Sequence, residues 1–152
     1  MTAGAILTLL VFIALTAAAA IFGAVFQPGT WYQALAKPDW TPPNWLFGPV
    51  WTILYIMIAV AGWLVWREQG LSVVLGIWAL QLLLNGAWSW IMFGQNQIGW
   101  ALADISLLWV AVLLFAVLAW PVSQAAGLLF VPYLVWVSYA GALNFAIWRL
   151  NG

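Results

Sequence analysis

Five long apolar segments constrain this chain more than any other feature of its sequence. A helix that crosses a bilayer needs about 20 apolar residues, and each segment is at least that long. The 152 residues include three Lys or Arg and three Asp or Glu, whereas a soluble domain carries about a quarter charged residues. Only helices and closed barrels satisfy the backbone in lipid, and these runs lack the alternation of barrel strands. We therefore predict an all-α membrane protein with spans at roughly 4–26, 44–66, 71–93, 98–120 and 124–149.

The connections between the segments predict one compact bundle rather than several domains. Those after the second, third and fourth spans are short, so neighbouring helices must be antiparallel. The first apolar run is longer than the core of a signal peptide, about 7–15 residues, and no positive segment precedes it. We interpret it as the first span of a single multi-pass domain covering 1–152. Lys and Arg divide almost evenly between the two sides, so the orientation does not follow from the sequence. The choice between inner and outer membrane also stays open.

The first connection, 27–43, is long for a compact domain, and such loops are usually functional or disordered. The stretch KPDWTPPNW (37–45) carries three prolines, each of which fixes φ and keeps the preceding residue out of the helical region. The aromatic stretch TWYQAL before it predicts a short helix lying across the bundle. We predict a stiff, structured lid whose one cation is Lys37.

The residue types that are missing exclude several functions. Without His and Cys the chain has no disulfide, no thiolate nucleophile, no Ser-His-Asp triad and few transition-metal ligands. A net charge of zero excludes the basic face that nucleic acid requires. We therefore predict no metal site, no required cofactor and no nucleic-acid partner. Asp104 is the only carboxylate well inside a predicted span. Because a proton relay needs more than one station, we favour a structural role near the helix N-terminus.

Polar and aromatic side chains share one face in each of three predicted spans. An amide without a partner in hydrocarbon costs several kcal/mol, so these faces must look into the bundle. They either line a cavity or hydrogen-bond between helices, and the sequence leaves both interpretations open. The sets are Trp51, Tyr55 and Gly62 in the second span, Gln81, Asn85, Trp88 and Ser89 in the third, and Tyr133, Ala140 and Asn144 in the fifth, with Trp136 nearby.

Three longer segments carry a resemblance to a known family. They are WYQALAKPDWTPPNWLFGPVWTILY (31–55), NGAWSWIMFGQNQIGWALAD (85–104) and VPYLVWVSYAGALNFAIWR (131–149). In type, order and spacing they resemble the translocator protein family, also called tryptophan-rich sensory proteins (TspO/MBR) or peripheral benzodiazepine receptors. The resemblance covers nearly the whole chain.

The resemblance implies a five-helix membrane bundle, often a homodimer, that binds porphyrins such as protoporphyrin IX and haem, and benzodiazepine or isoquinoline drugs. To this we add the hypothesis that Lys37 pairs with porphyrin carboxylates. Animal members also bind cholesterol, but Phe145 replaces the Tyr of a proposed sterol motif, so we do not expect sterol binding. By position, the family's ligand-binding residues fall on Tyr32, Pro42, Trp45, Phe47, Gly48, Trp51, Asn85, Trp88, Trp100, Trp136, Ala140, Leu143 and Asn144.

The leading interpretation is a membrane receptor or sensor that binds porphyrins, with membrane lipid as its other contact. A second interpretation is light- or oxygen-dependent breakdown of protoporphyrin, which has been ascribed to bacterial members of the family. In a chain without His, Cys or metal it would depend on the ligand's own photochemistry and on nearby indoles, for which we choose Trp51 and Trp136. A third interpretation is a transporter of porphyrins or small apolar solutes. Against it, the sequence contains no inverted repeat of broken spans.

Overall fold

The computed structural model of the protein describes residues 1–152 and contains helices and turns but no strands. A 3₁₀ turn, Asn44–Leu46, leads into the third helix, and a π-helical turn, Trp90–Gly94, continues the fourth. The helices are α1 (Ala3–Val25), α2 (Thr30–Ala34), α3 (Phe47–Gln69), α4 (Val73–Ser89), α5 (Ile98–Ala119) and α6 (Gln124–Asn151).

The all-α fold and its five spans are confirmed. All the helices except α2, together with the two added turns, are long and apolar enough to cross a membrane. Their ends differ from the predicted spans by a few residues. The helix α3 continues through Arg67 and Glu68 because both are good helix formers, and it ends at Gly70, whose φ of 63° favours glycine.

Hydroxyl side chains cap the starts of three spanning helices. Thr2 accepts a hydrogen bond from the backbone N–H of Ala5 at 3.2 Å, and Ser72 accepts one from Leu75 at the same distance. Ser123 caps α6 in the same way, through the N–H of Ala126 at 3.3 Å. Each cap satisfies one backbone donor that the first helical turn leaves without a partner.

The core lies along α3, α4, α5 and α6, and α1 packs on its outside. Between α5 and α6 the rings of Phe115 and Phe130 approach to 4.1 Å, and both side chains are fully buried. By contrast, α1 packs against α3 and α4 and buries only Phe12 and Thr16 among its residues. The remaining surface of α1 is apolar and exposed, as expected for a helix that faces lipid.

The lid is ordered, and it begins with the short helix that its aromatic residues predict. This helix, α2, buries Tyr32. The proline-rich segment follows it, and Thr41 closes a turn there by donating its hydroxyl to the carbonyl of Pro38 at 2.7 Å. The lid therefore crosses the end of the bundle at which α3 and α5 begin and α6 ends.

Candidate ligand cavity

A cavity of about 630 Å³ lies beneath the lid. All five spanning helices and the lid contribute to its wall, and no Lys, Arg, Asp or Glu lines it. The lining residues of α1, the lid and the residues that flank the lid are Ala20, Gly23, Ala24, Phe26, Gln27, Pro28, Tyr32 and Asn44; those of α3 are Phe47, Gly48, Trp51, Thr52 and Tyr55. Those of α4 and the π-helical turn are Asn85, Trp88, Ser89, Met92 and Phe93, and those of α5 and α6 are Ile105, Leu108, Trp136, Val137, Ala140, Leu143, Asn144 and Ile147.

Aromatic rings in edge-to-face and stacked pairs form much of this wall. Trp51 stacks on Tyr55 with ring centroids 5.4 Å apart, and it meets Trp136 edge-on at 6.4 Å and 88°. Phe93 meets two rings edge-on, those of Trp88 and Tyr32, each at 5.4 Å. Such geometries contribute about 0.5–1.5 kcal/mol per pair beyond area burial, so these contacts stabilise the wall.

A chain of hydrogen bonds connects the cavity to the interior. The hydroxyl of Tyr55 donates to Asn85 Oδ1 at 2.9 Å, and Asn85 Nδ2 donates to the hydroxyl oxygen of Tyr133 at 2.8 Å. The hydroxyl of Tyr133 in turn donates to Gln81 Oε1 at 2.8 Å. The polar faces of α3, α4 and α6 therefore hydrogen-bond between helices, and part of each face also borders the cavity, whereas Gly62, Gln81 and Tyr133 lie outside its wall. Each of the two interpretations left open by the sequence holds for part of these faces.

Two hydrogen bonds of the Asn144 side chain connect three helices at the lid end of the bundle. Trp88 Nε1 donates to Asn144 Oδ1 at 2.9 Å, and Asn144 Nδ2 donates to the carbonyl of Ile98 at 3.1 Å. One side chain of α6 thus holds α4 and the start of α5. Since the Trp88 N–H is already bonded, this indole offers a ligand its ring face rather than a donor.

Three buried polar atoms have no hydrogen-bond partner: Trp136 Nε1, Gln81 Nε2 and Asp104 Oδ2. Of their side chains, only the indole of Trp136 lines the cavity. Asp104 and Gln81 are buried behind the wall, in α5 and α4. The structural role that the sequence favours for Asp104 stays a prediction.

Most residues predicted to bind a ligand do meet at this cavity, although their contact with a ligand stays a prediction. The set that lines it is Tyr32, Phe47, Gly48, Trp51, Asn85, Trp88, Trp136, Ala140, Leu143 and Asn144. The other predicted residues, Lys37, Pro42, Trp45 and Trp100, lie outside the wall. Trp45 and Trp100 are 72% and 71% exposed. Lys37 Nζ donates to the carbonyls of Gln33 at 3.3 Å and Leu35 at 3.2 Å.

Sequence reasoning missed several parts of the wall, including Ile105 and Leu108 of α5 and Phe26, Gln27 and Pro28 at the start of the lid. Met92 and Phe93 reach the cavity because the π-helical turn changes the register of α4 after Ser89, and no apolar period reveals such a turn. Gly23 lies in the wall where α1 meets α4, and a β-carbon there would be 3.5 Å from Ser89 Oγ. The spacing of Ala19 and Gly23 marks this close approach in the sequence, but such spacing is common in a chain rich in small residues.

Tyr32 is the buried lid residue in the cavity wall. Burial raises the pKa of Tyr32 above its ordinary value of 10.0, so its hydroxyl is neutral at physiological pH. Lys37 Nζ lies 4.6 Å from the centre of the Tyr32 ring. The ring therefore contacts both a cation of the lid and Phe93 of the cavity wall.

Fold and cavity together define a multi-pass integral membrane protein with an uncharged aromatic site under a structured lid. The chain belongs to the TspO/MBR family, whose model matches residues 12–149.

Individual relatives show the same similarity over most of their length. The chain is 44% identical to protein CrtK of Rhodobacter capsulatus over 142 residues, which are 89% of this chain and 87% of that protein. It is 44% identical to tryptophan-rich protein TspO of Chlorobaculum tepidum over 153 aligned positions, 96% of this chain and 97% of the relative. It is 43% identical to the human translocator protein over 126 residues, 80% and 75% of the two chains.

Proposed function

We propose that this protein is a membrane receptor or sensor that binds porphyrins and other flat aromatic ligands in the cavity under its lid. The observation that carries the proposal is a wall lined with Trp51, Trp88 and Trp136 that contains no charged side chain. Indole faces suit a flat apolar ring, and the volume of about 630 Å³ is within the range of about 300–1,000 Å³ common for ligand sites. No bound cofactor is required, and benzodiazepine or isoquinoline drugs would use the same faces.

The uncharged wall also determines how a porphyrin would be oriented. A carboxylate is very costly to bury without a partner, so the propionates of protoporphyrin IX or haem would stay at the mouth, beside the lid. Lys37 is the nearest cation along the lid. To pair with a propionate, its Nζ would have to exchange its bonds to the carbonyls of Gln33 and Leu35. The wall contains no His or Cys and offers haem iron only Met92, Tyr32 and Tyr55, so haem would be held mainly by stacking.

The test is a titration of the purified protein with protoporphyrin IX in the dark, followed by quenching of Trp fluorescence. We expect saturable quenching, and an affinity about tenfold lower in Trp51→Phe, which removes part of the stacking surface. Trp120→Phe, at the far end of α5, is the matched control and should bind as the unmodified chain does. Absence of saturable quenching in the unmodified chain would reject the proposal.

A second candidate function is oxidative breakdown of the bound porphyrin by dioxygen in light. Its specific support is the edge-to-face contact of Trp51 and Trp136, with Trp136 Nε1 buried and free of any partner. Oxidisable indoles would then lie against the excited ring. The porphyrin spectrum should change in light only when protein and dioxygen are both present. Unchanged bleaching in a Trp51→Phe, Trp136→Phe double variant that still binds would rule out these two residues.

Homodimer formation in the membrane is part of the proposal as well. It is tested by the mass of the protein in lipid nanodiscs, with and without protoporphyrin IX. A monomer under both conditions would remove this part and leave the binding proposal intact.

A further inference from the structure

We propose that Asn151 and Tyr139 of α6 are two latches that hold the lid closed and so determine how fast a ligand leaves the cavity. The inference rests on the proposed function for its ligand, but the latches themselves are contacts within the protein. They join the lid to α6 at Ala36 and at Trp40, on either side of the Lys37-Pro38-Asp39 segment.

The first latch pairs one side-chain amide with both backbone groups of a lid residue. Asn151 Oδ1 accepts the N–H of Ala36 at 3.0 Å, and Asn151 Nδ2 donates to the carbonyl of Ala36 at 2.8 Å. The second hydrogen of Nδ2 bonds the carbonyl of Ile147 at 2.8 Å, which fixes the amide to its own helix. A lid residue outside any helix thus obtains both of its backbone hydrogen bonds from α6.

The second latch connects the lid to the cavity wall through rings. The hydroxyl of Tyr139 donates to the carbonyl of Trp40, and the two rings meet edge-on at 5.6 Å. Tyr139 also packs on Trp136, with centroids 5.8 Å apart, and Trp136 lines the cavity. A ligand that moves Trp136 therefore acts directly on the residue that holds Trp40.

The lid between and before the latches is built to move as one piece. Pro38 has a fixed φ, and Thr41 donates both its backbone N–H, at 3.1 Å, and its hydroxyl to the carbonyl of Pro38. On the other side, Lys37 Nζ holds the end of α2 by donating to the carbonyls of Gln33 and Leu35. Release of Ala36 would therefore carry α2 outwards with it, including the buried ring of Tyr32 that closes the cavity.

The expected size of the effect follows from the two bonds at Ala36. Hydrogen bonds of ordinary strength, lost as a pair at an exposed site, shift the balance between closed and open lid by about tenfold. Because the ligand leaves only when the lid is open, Asn151→Ala should release it about ten times faster. Tyr139→Phe loses one bond and keeps the ring, so its effect should be smaller, about threefold.

The experiment measures release of protoporphyrin IX from the full chain by recovery of Trp fluorescence after dilution into excess lipid. The variants are Asn151→Ala and Tyr139→Phe. The matched control is Gln124→Ala, which removes an exposed amide from the distant start of α6. Amide hydrogen exchange of residues 30–41 is followed in parallel without ligand, and exchange in α3 confirms that each variant is folded. We expect faster release and faster lid exchange in Asn151→Ala, and neither in Gln124→Ala.

A disulfide lock, introduced between the lid and α6 and reversible by reductant, tests the same inference in the opposite direction, since it should slow the release of ligand. Since the chain has no cysteine, an Ala36→Cys, Asn151→Cys double variant contains only the introduced pair. Its oxidised form should release the ligand more slowly than its reduced form, and reductant should restore fast release.

Three outcomes would overturn the inference. The first is release from Asn151→Ala at the rate of Gln124→Ala, and the second is an oxidised lock that leaves the release rate unchanged. If protoporphyrin IX does not bind at all, the proposed function fails by itself. In that case amide hydrogen exchange of the lid, measured without ligand, still tests whether Asn151 holds the lid closed. Equal lid exchange in Asn151→Ala and in the unmodified chain is the third outcome that would overturn the inference.

Discussion

At the scale of single residues, Tyr133 joins the polar chain that runs from the cavity into the core. Its hydroxyl accepts from Asn85 Nδ2 and donates to Gln81 Oε1, and its side chain is fully buried. Asn85 and Gln81 each make one hydrogen bond to this oxygen, and Tyr55 bonds to Asn85. The residue is outside the cavity wall, yet it fixes the orientation of the Asn85 amide that borders the cavity.

We predict that Tyr133→Phe lowers the free energy of unfolding by about 1–2 kcal/mol. The substitution keeps the ring but leaves Asn85 Nδ2 and Gln81 Oε1 each without a partner in a buried site. Thermal unfolding in detergent, followed by circular dichroism, measures the effect. The control is Ser106→Ala, whose hydroxyl is exposed and bonds the Leu102 carbonyl of its own helix at 2.7 Å, and which should change stability by at most about 0.5 kcal/mol. A Tyr133→Phe variant as stable as that control would show that the chain of bonds is not needed for stability.

At the scale of helices, the approach of α3 to α4 depends on a glycine. Gly62 faces the indole of Trp78, whose Nε1 donates to the carbonyl of Ile58 at 2.8 Å. A β-carbon at Gly62 would be 2.5 Å from Trp78 Cε2 and 3.0 Å from Phe12 Cδ1. Since Trp78 is held by its own hydrogen bond and by an edge-on contact with Phe12 at 5.0 Å, it cannot move aside without cost.

We predict that Gly62→Ala destabilises the fold by about 1–3 kcal/mol through overpacking of this contact. The identical substitution Gly76→Ala is the control, because Gly76 is exposed on α4 and a β-carbon there meets nothing within 4 Å. That variant should be neutral or more stable by up to about 1 kcal/mol, the usual preference for Ala over Gly in a helix. Thermal unfolding of both variants gives the comparison. Equal stability of the two would mean that Trp78 has room to shift.

At the scale of the whole molecule, all the charges lie outside the cavity. Its wall contains no Lys, Arg, Asp or Glu, and Tyr32 is held neutral because burial raises its pKa. The raised pKa of Tyr32 determines how its contribution to binding changes with pH. A contribution of its neutral form is complete below the ordinary tyrosine pKa of about 10 and is lost as the pH rises through the raised value.

We predict that an uncharged aromatic ligand binds with the same affinity between about pH 6 and 9, and at low and high salt, because nothing in the wall titrates or is screened there. Affinity should fall only in alkaline solution, as Tyr32 ionises. Titrations with the dimethyl ester of protoporphyrin and with protoporphyrin IX provide the comparison. Salt should weaken only the dicarboxylate, through charges at the mouth. Salt-dependent binding of the ester would contradict an uncharged site.

Much of the fold and part of the site could be predicted from the sequence because the signals are local. Apolar length alone identifies the spans, and helical spacing alone places Asn85 with Trp88, and Tyr133 with Asn144, on inward faces. The need to satisfy amides in hydrocarbon then requires these faces to look into the bundle, which they do. The ends of the helices differ from the predicted spans, since α3 continues past its apolar segment through Arg67, Glu68 and Gln69, and α6 continues through Leu150 and Asn151.

The sequence by itself thus determined a five-span helical membrane protein with an aromatic interior poor in charge. Lipid admits only helices and closed barrels, and the apolar runs lack the alternation of barrel strands. Asp104 is the only Lys, Arg, Asp or Glu well inside a span. Only the tertiary structure decided which indoles face the cavity, since Trp100 lies on the outer side of α5 while Trp88 and Trp136 converge from different helices. It also decided that Asn151 meets Ala36, far apart in the chain. Contacts between distant segments depend on how helices pack, and no local pattern of residues records that arrangement.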